Sequence, residues 1–304
     1  MAGFASRQFS RVRRLAHLLI HQPDYVLGRL ATVRDGYSAI HAVKDAVAGA
    51  PPLKIHDLYS ETLVPVEIAP SGYLVQATPA AQQVEDMRKR SYSLGPSLTH
   101  EAVTQIRDAA HSRPLELRGA GPARTCPSYE VLMASPELSS WTAIATVVDS
   151  SKLPVIRALA GDPALHETAR RFLGYKPRQV STWLFWSLAN ELSGDQRRGA
   201  YQTIDFHYDV DGYNFMYANF YLLETGPHNG AHVLIEGTSR HKRLRDLMGS
   251  ACLSDGEARQ AYGQDRERLM AGPAGFGFVE DASCYHKALP PQDSDRLMLQ
   301  FRYR

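Results

Sequence analysis

Cysteine is scarce in this chain. Cys126, Cys252 and Cys284 lie far apart and form no CxxC pair. That excludes a disulfide framework and a cysteine-rich structural zinc site. A reducing, cytoplasmic setting is the expectation. Net charge is nearly absent too, at +2. The strongly basic face of a nucleic-acid binder is therefore not expected. No run approaches the ~18 consecutive apolar residues of a membrane-spanning helix. Internal repeats and low-complexity tracts are also missing. Acidic residues are absent from residues 1–23, which do hold Arg7, Arg11, Arg13 and Arg14. Val12, Leu15, Leu18 and Leu19 follow helical spacing beside them. The segment reads as a basic amphipathic helix. It either packs on its own domain, makes peripheral contact with an anionic membrane, or, in a eukaryote, resembles a transit peptide.

What is present divides near residue 174. Residues 1–50 read as helical, punctuated at Pro23 and around Gly36, and Pro51-Pro52 ends the run. Short strand-like runs follow to about Ala77, and Thr78-Pro79 opens a helix through Val84 and Met87. Residues 95–127, rich in Gly, Pro and Arg, read as loops. Leu153, Ile156, Leu159 and Ala160 share a face of a helical stretch at 152–173, stopped by Gly174 and Pro177. Beyond Pro177 the character changes. Val180, Thr182, Trp183, Phe185 and Trp186 mark a strand, and strand-like segments recur at about 203–209, 213–223, 231–236, 275–281 and 295–303. Residues 240–270 read as a helical insertion, with Leu244, Leu247 and Met248 at helical spacing. Near-regular short strands predict an antiparallel sandwich or barrel. The fold expected is α+β with a mainly β core. A helix-rich support at 1–174 surrounds a barrel at 175–304, and the whole of 1–304 forms one domain.

The chemistry centres on Phe206-His207-Tyr208-Asp209 at a strand end. Side chains two apart on a strand point the same way, so His207 and Asp209 can converge on one ion. His286, after the strand-like run ending at Glu280, supplies a third donor. Two imidazoles and one carboxylate make the facial triad of non-haem Fe(II) oxygenases, which leaves positions open for a chelating co-substrate and O2. Among twelve histidines an HxD pair is a weak signal. Arg296 strengthens it. A guanidinium inside an apolar strand can clamp a distal carboxylate bidentately. The ligand implied is a short dicarboxylate with a 2-oxo acid at one end, 2-oxoglutarate.

With His207-Tyr208-Asp209, the run Gly230 to Lys242 (GAHVLIEGTSRHK), His286 and Arg296 in place, the sequence resembles the phytanoyl-CoA dioxygenase-like branch of the Fe(II)/2-oxoglutarate oxygenases. The resemblance covers about 175–304. It implies a double-stranded β-helix, a cupin-like jelly-roll barrel, with iron held by His207, Asp209 and His286 and 2-oxoglutarate by Arg296. It implies decarboxylation of 2-oxoglutarate to succinate and hydroxylation of an unactivated C–H. Halogenating relatives replace the carboxylate by Gly or Ala. Asp209 is present, so hydroxylation is expected.

Trp183, Trp186, Tyr213, Tyr217, Asn219 and Tyr221 are further candidates for the cavity wall. Alternation groups Tyr217, Asn219 and Tyr221 on one face, where Tyr217 or Asn219 can bond a 2-oxoglutarate carboxylate. Core aromatic packing is the other reading. His228, His232 and His241 read as structural, and Cys284 as a small buried hydrophobe rather than a soft ligand. The substrate expected is a small or lipid-linked molecule. Two rival readings stand. One is a barrel that no longer catalyses and serves as a binding or scaffold protein. The other is a cupin-type metal enzyme that uses no 2-oxoglutarate, which leaves Arg296 without a task.

Overall fold

The computed structural model describes residues 22–58, 60–247 and 250–304. The basic segment 1–21 and Met248 of the expected insertion lie outside them. Strands run in chain order β1 (Lys54–Asp57), β2 (Val64–Pro65), β3 (Leu74–Gln76), β4 (Tyr92–Leu98), β5 (Leu115–Gly119), β6 (Gly121–Cys126), β7 (Thr142–Val147) and β8 (Gln179–Ser187). They continue as β9 (Phe206–His207), β10 (Met216–Tyr221), β11 (His232–Ile235), β12 (Cys252–Leu253), β13 (Glu267–Met270), β14 (Phe276–Glu280), β15 (His286–Ala288) and β16 (Arg296–Tyr303).

Two sheets result. The larger has 11 strands and runs β3-β4-β14-β10-β16-β8-β7-β5-β6, with β1 pairing β8 and β2 pairing β1. The smaller runs β12-β9-β15-β11-β13. From β8 onward the chain passes back and forth between the sheets, with β14, β10, β16 and β8 adjacent in one and β9, β15, β11 and β13 in the other. This is the double-stranded β-helix, a jelly-roll barrel.

The two faces of β16 divide the molecule. Leu297, Leu299, Phe301 and Tyr303 join Val180, Leu184 and Trp186 of β8 in the main hydrophobic core. That core is completed by helices at Ala80–Arg90, His100–Ser112, Pro154–Ala160 and Pro163–Leu173. The opposite face carries Arg296, Met298, Gln300 and Arg302 into the barrel cavity. The side-chain period of two dictates this split.

The N-terminal half differs from the expected helical support, because it supplies seven strands as well as helices. The stretch 95–127 is not loop: it holds most of β4, the helix His100–Ser112, β5 and β6. Gly95-Pro96 is tolerated in β4 because the register against β14 shifts there, and a bulge accepts a residue that cannot donate to the ladder. The edge strand β6 is exposed up to Cys126 and so shows no apolar alternation. Gly36 does not interrupt the helix Ala31–Ala48. The stretch 152–173 divides into Pro154–Ala160 and Pro163–Leu173, and Gly174 closes the second helix in the left-handed region. In 240–270 the helices Leu244–Leu247 and Asp255–Tyr262 alternate with β12 and β13, which join the smaller sheet.

A buried ion pair ties the helix Ala31–Ala48 to the barrel. Arg34 Nη1 donates to both oxygens of Asp281 at 2.8 and 3.0 Å, and Nη2 donates to the Ser239 carbonyl. Asp281 stands between β14 and β15, in the turn that leads to His286. No described helix is long and apolar enough to cross a membrane.

Candidate active site

The pairing of β9 with β15 sets His207 directly opposite His286. Their rings lie 4.3 Å apart between centroids. Asp209, two residues beyond His207, is fixed by its amide, which donates to the Ala282 carbonyl at 3.0 Å. Asp209 Oδ1 lies 3.7 Å from His207 Nε2, and Oδ2 lies 3.8 Å from His286 Nε2. These separations are too long for hydrogen bonds. They leave room for an ion that all three residues face, and the ligand atoms lie within 4.8 Å of one another.

The far nitrogens of both rings are engaged. His207 Nδ1 meets the Asp205 carbonyl at 3.1 Å, and His286 Nδ1 meets the Cys284 carbonyl at 3.0 Å. A carbonyl only accepts, so each Nδ1 carries the proton and each Nε2 presents its lone pair toward Asp209. Burial, and after it His207, pushes the His286 ring down to about 4, which keeps it neutral. Burial alone would raise the Asp209 carboxyl. His286, His207, the Tyr217 hydroxyl and Arg302 bring it below the usual carboxylate value. The group thus offers two imidazoles and one carboxylate.

These residues open into a cavity of about 330 Å³. Its walls include Trp183, Phe185 and Ser187 of β8 and the inward face of β16. Arg296 also lines the cavity and is 3% exposed. Its Nη1 donates to the Gly230 carbonyl and its Nη2 to Ser187 Oγ at 3.0 Å. Its guanidinium sits over the Phe185 ring at 5.4 Å. No carboxylate pairs with it among the described residues, and its Nε is buried without a partner. Desolvation lowers its affinity for its own proton. The other cavity-lining cations do have acids: Lys287 Nζ lies 2.6 Å from Asp255, and Arg302 Nη1 lies 3.0 Å from Asp211.

Of the expected wall residues, Trp183 and Tyr217 line the cavity. Tyr217 donates its hydroxyl to Asp209 Oδ2 at 2.7 Å, so it steadies the carboxylate and is not free for a co-substrate. Asn219 shares its face but is fully buried. It donates to Glu280 Oε1 at 2.7 Å and accepts from Gln300 Nε2 at 2.9 Å. The expectation that Asn219 bonds a 2-oxoglutarate carboxylate is corrected by these partners, which fill the space around its amide. The Tyr221 hydroxyl donates to the Met270 carbonyl. Trp186 faces the main core and stacks on Tyr129, and Tyr213 stacks on Tyr37. Cys284 is fully buried, and burial pushes its thiol well up. It lies near Glu280 and His286 but stays a neutral thiol.

Several wall residues escaped sequence reasoning, Ser187, Lys287, Met298, Gln300 and Arg302 among them. Gln300 and Arg302 lie four and six residues after Arg296, so period-two alternation from Arg296 was the signal for both. His232 was read as structural and in fact lines the cavity. His228 and His241 are exposed.

No family model matches the chain, and no curated protein matches it. Solved structures do. EvdO2 from Micromonospora carbonacea var. aurantiaca, complexed with 2-oxoglutarate, is 15% identical, matching 75% of this chain and 92% of its own, with a TM-score of 0.49. The non-heme alpha ketoglutarate dependent epimerase SnoN from nogalamycin biosynthesis is 15% identical over 74% of this chain and 82% of its own, with a TM-score of 0.48. AviO1 from Streptomyces viridochromogenes Tue57 is 16% identical over 74% of this chain and 94% of its own, with a TM-score of 0.44. At such identities these are likenesses of overall shape, and they say nothing of what this chain acts on.

Proposed function

We propose that this chain is an Fe(II)- and 2-oxoglutarate-dependent dioxygenase of the phytanoyl-CoA dioxygenase-like kind, which hydroxylates an unactivated C–H of a small or lipid-linked molecule. The observation that carries the reading is Arg296. A buried guanidinium without an acid is costly, and it shares one cavity with a two-histidine, one-carboxylate group. An anionic ligand that bridges the two removes that cost. 2-Oxoglutarate has a chelating 2-oxo acid for the metal and a distal carboxylate for the guanidinium.

In this reading His207, Asp209 and His286 hold the iron, the donor set that suits Fe(II) with positions left open. When bound, the iron with 2-oxoglutarate and O2 supplies the oxidising power for C–H hydroxylation, with succinate and CO2 released. The protein's own residues orient and exclude. Tyr217 holds the Asp209 carboxylate, the Asp205 and Cys284 carbonyls fix the two imidazole tautomers, and Arg296 aligns the co-substrate. No protein base is required. Asp209 fills the place that a halogenating relative leaves to chloride. The chain works as one unit, because strands from its first half complete the sheet that builds the cavity.

The test is anaerobic addition of Fe(II) and 2-oxoglutarate to the purified protein. The chelate should give a weak visible charge-transfer band, which Asp209→Ala should weaken. Tightly bound zinc with no affinity for 2-oxoglutarate would overturn the reading.

A further inference from the structure

Gln202 lines the same cavity as Arg296 and the metal group, and it carries an unused donor. The residue is 4% exposed. Its Nε2 is buried and has no hydrogen-bond partner among the described residues. A buried donor left unsatisfied is costly. An acceptor oxygen brought in by a ligand removes that cost. Arg197 decides which end of the amide is free. This buried guanidinium donates to the carbonyls of Leu192, Leu188 and Asn190 and to Asn190 Oδ1. Its Nη1 also donates to Gln202 Oε1 at 2.9 Å. A guanidinium only donates, so the amide oxygen of Gln202 must face Arg197 and the NH2 must point elsewhere. A carboxamide does not titrate, so this donor is present at every pH at which the protein is folded.

The segment that carries Gln202 is tied to both parts of the site. Leu188, which accepts from Arg197, directly follows Ser187, whose Oγ accepts from Arg296. Thr203, directly after Gln202, accepts at its carbonyl from the Ala288 amide of β15, the strand that opens with His286. The Gln202 amide nitrogen of the backbone donates to the Arg197 carbonyl at 2.9 Å. At Tyr201 the chain is left-handed, with φ 59°. A tyrosine takes that conformation only where its surroundings enforce it. Here the Tyr201 ring stands exposed and the next side chain is buried. Gln202 is thus fixed in main chain and side chain alike. The oxygens of a 2-oxo diacid are all acceptors, and the NH2 is the complementary group.

We propose that Gln202, oriented by Arg197, is a second binding residue for the co-substrate: its NH2 donates to an oxygen of 2-oxoglutarate while Arg296 takes the distal carboxylate. This rests on the function proposed above. Substrate chemistry does not enter it.

The experiment uses the full chain loaded with Mn(II), with 2-oxoglutarate titrated by calorimetry and Mn(II) affinity measured separately by electron paramagnetic resonance. Gln202→Met keeps the length of the side chain and removes the donor. It should weaken 2-oxoglutarate binding by about tenfold or more, the loss expected for one charge-assisted hydrogen bond, and leave Mn(II) affinity within about twofold. Gln202→Glu keeps an oxygen for Arg197, which holds the new carboxyl ionised, and puts a second oxygen where the NH2 was. It should weaken 2-oxoglutarate more than Gln202→Met does, because a carboxylate then meets a carboxylate. A purely structural role predicts the opposite order, since only the Glu variant preserves the contact with Arg197. Circular dichroism identifies a variant that fails to fold, and where Gln202→Met does so the Glu variant decides alone. Wild-type affinity for 2-oxoglutarate in folded Gln202→Glu overturns the proposal, and so does a smaller loss there than in Gln202→Met. An equal loss of Mn(II) affinity in Gln202→Met also overturns it, because Gln202 then supports the metal group. If the wild type binds Mn(II) but no 2-oxoglutarate, the function itself fails and this proposal with it.

Discussion

Replacing Arg296 with methionine should stabilise the ligand-free protein while it abolishes co-substrate binding. Arg296 is 3% exposed, has no acid partner among the described residues, and keeps a buried, unpaired Nε. Burying a charge carries an effective penalty of several kcal/mol after relaxation. Against that, the Gly230 carbonyl and Ser187 hydroxyl lose their donor, at about 1–3 kcal/mol each if left unsatisfied and less if they rearrange. A methionine of similar length keeps the packing against Phe185. The balance favours the variant by about 1–3 kcal/mol, or about 2–12 °C in Tm at the ~2–4 °C per kcal/mol of chains this large. With metal and 2-oxoglutarate at 1,000 times its Kd, the wild type gains about 4.1 kcal/mol and the variant gains nothing. The order of melting should therefore reverse. Scanning calorimetry of both proteins, metal-loaded, with and without 2-oxoglutarate, reads this directly. A variant that melts below the wild type without ligand and still rises with 2-oxoglutarate would refute the reasoning.

Tyr217→Phe removes the hydroxyl that donates to Asp209 and should weaken Fe(II) or Mn(II) binding by about 10–100-fold with the fold intact; metal titration of the two proteins checks it. Asp281→Asn breaks the buried pair with Arg34 and should cost about 3–5 kcal/mol in denaturant unfolding. The same residue predicts an acid limb. Burial alone would raise the Asp281 carboxyl, but Arg34, the Ser283 hydroxyl and Lys242 carry it below its ordinary 3.8. A depressed folded value contributes stability above 3.8 that is lost as pH falls through the folded value. Wild-type stability should drop across that window, and Asp281→Asn should flatten this part of the curve.

The barrel strands were legible because their residues are β-branched and aromatic and their inner and outer faces alternate, most plainly in β8 and β16. The first half was less so. β4 carries Gly95-Pro96 at a bulge, and β6 is an exposed edge. Neither displays the apolar period by which a strand is recognised. At the site, strand alternation put His207 beside Asp209 and grouped Tyr217 with Asn219. What spacing could not carry was partnership across the sheets. Nothing local to Asn219 announces that Glu280, 61 residues on, takes its amide. Nothing local to His232 says that its ring stacks on His286 and lines the cavity.

β8 has a consequence for how the chain can be divided. One side of it pairs with β16 over its whole length except Gln179. The other side is shared end to end: β1 covers 179–182 and β7 covers 185–187. Those two short strands cap what would be a bare, apolar edge, Gln-Val-Ser-Thr-Trp-Leu-Phe-Trp-Ser. Such an edge is a template for pairing with another copy. A fragment beginning at residue 175 would keep every residue of the proposed iron group and Arg296, yet expose that template. The first half thus also shields the barrel from its own copies, and a fragment cut at residue 175 should self-associate.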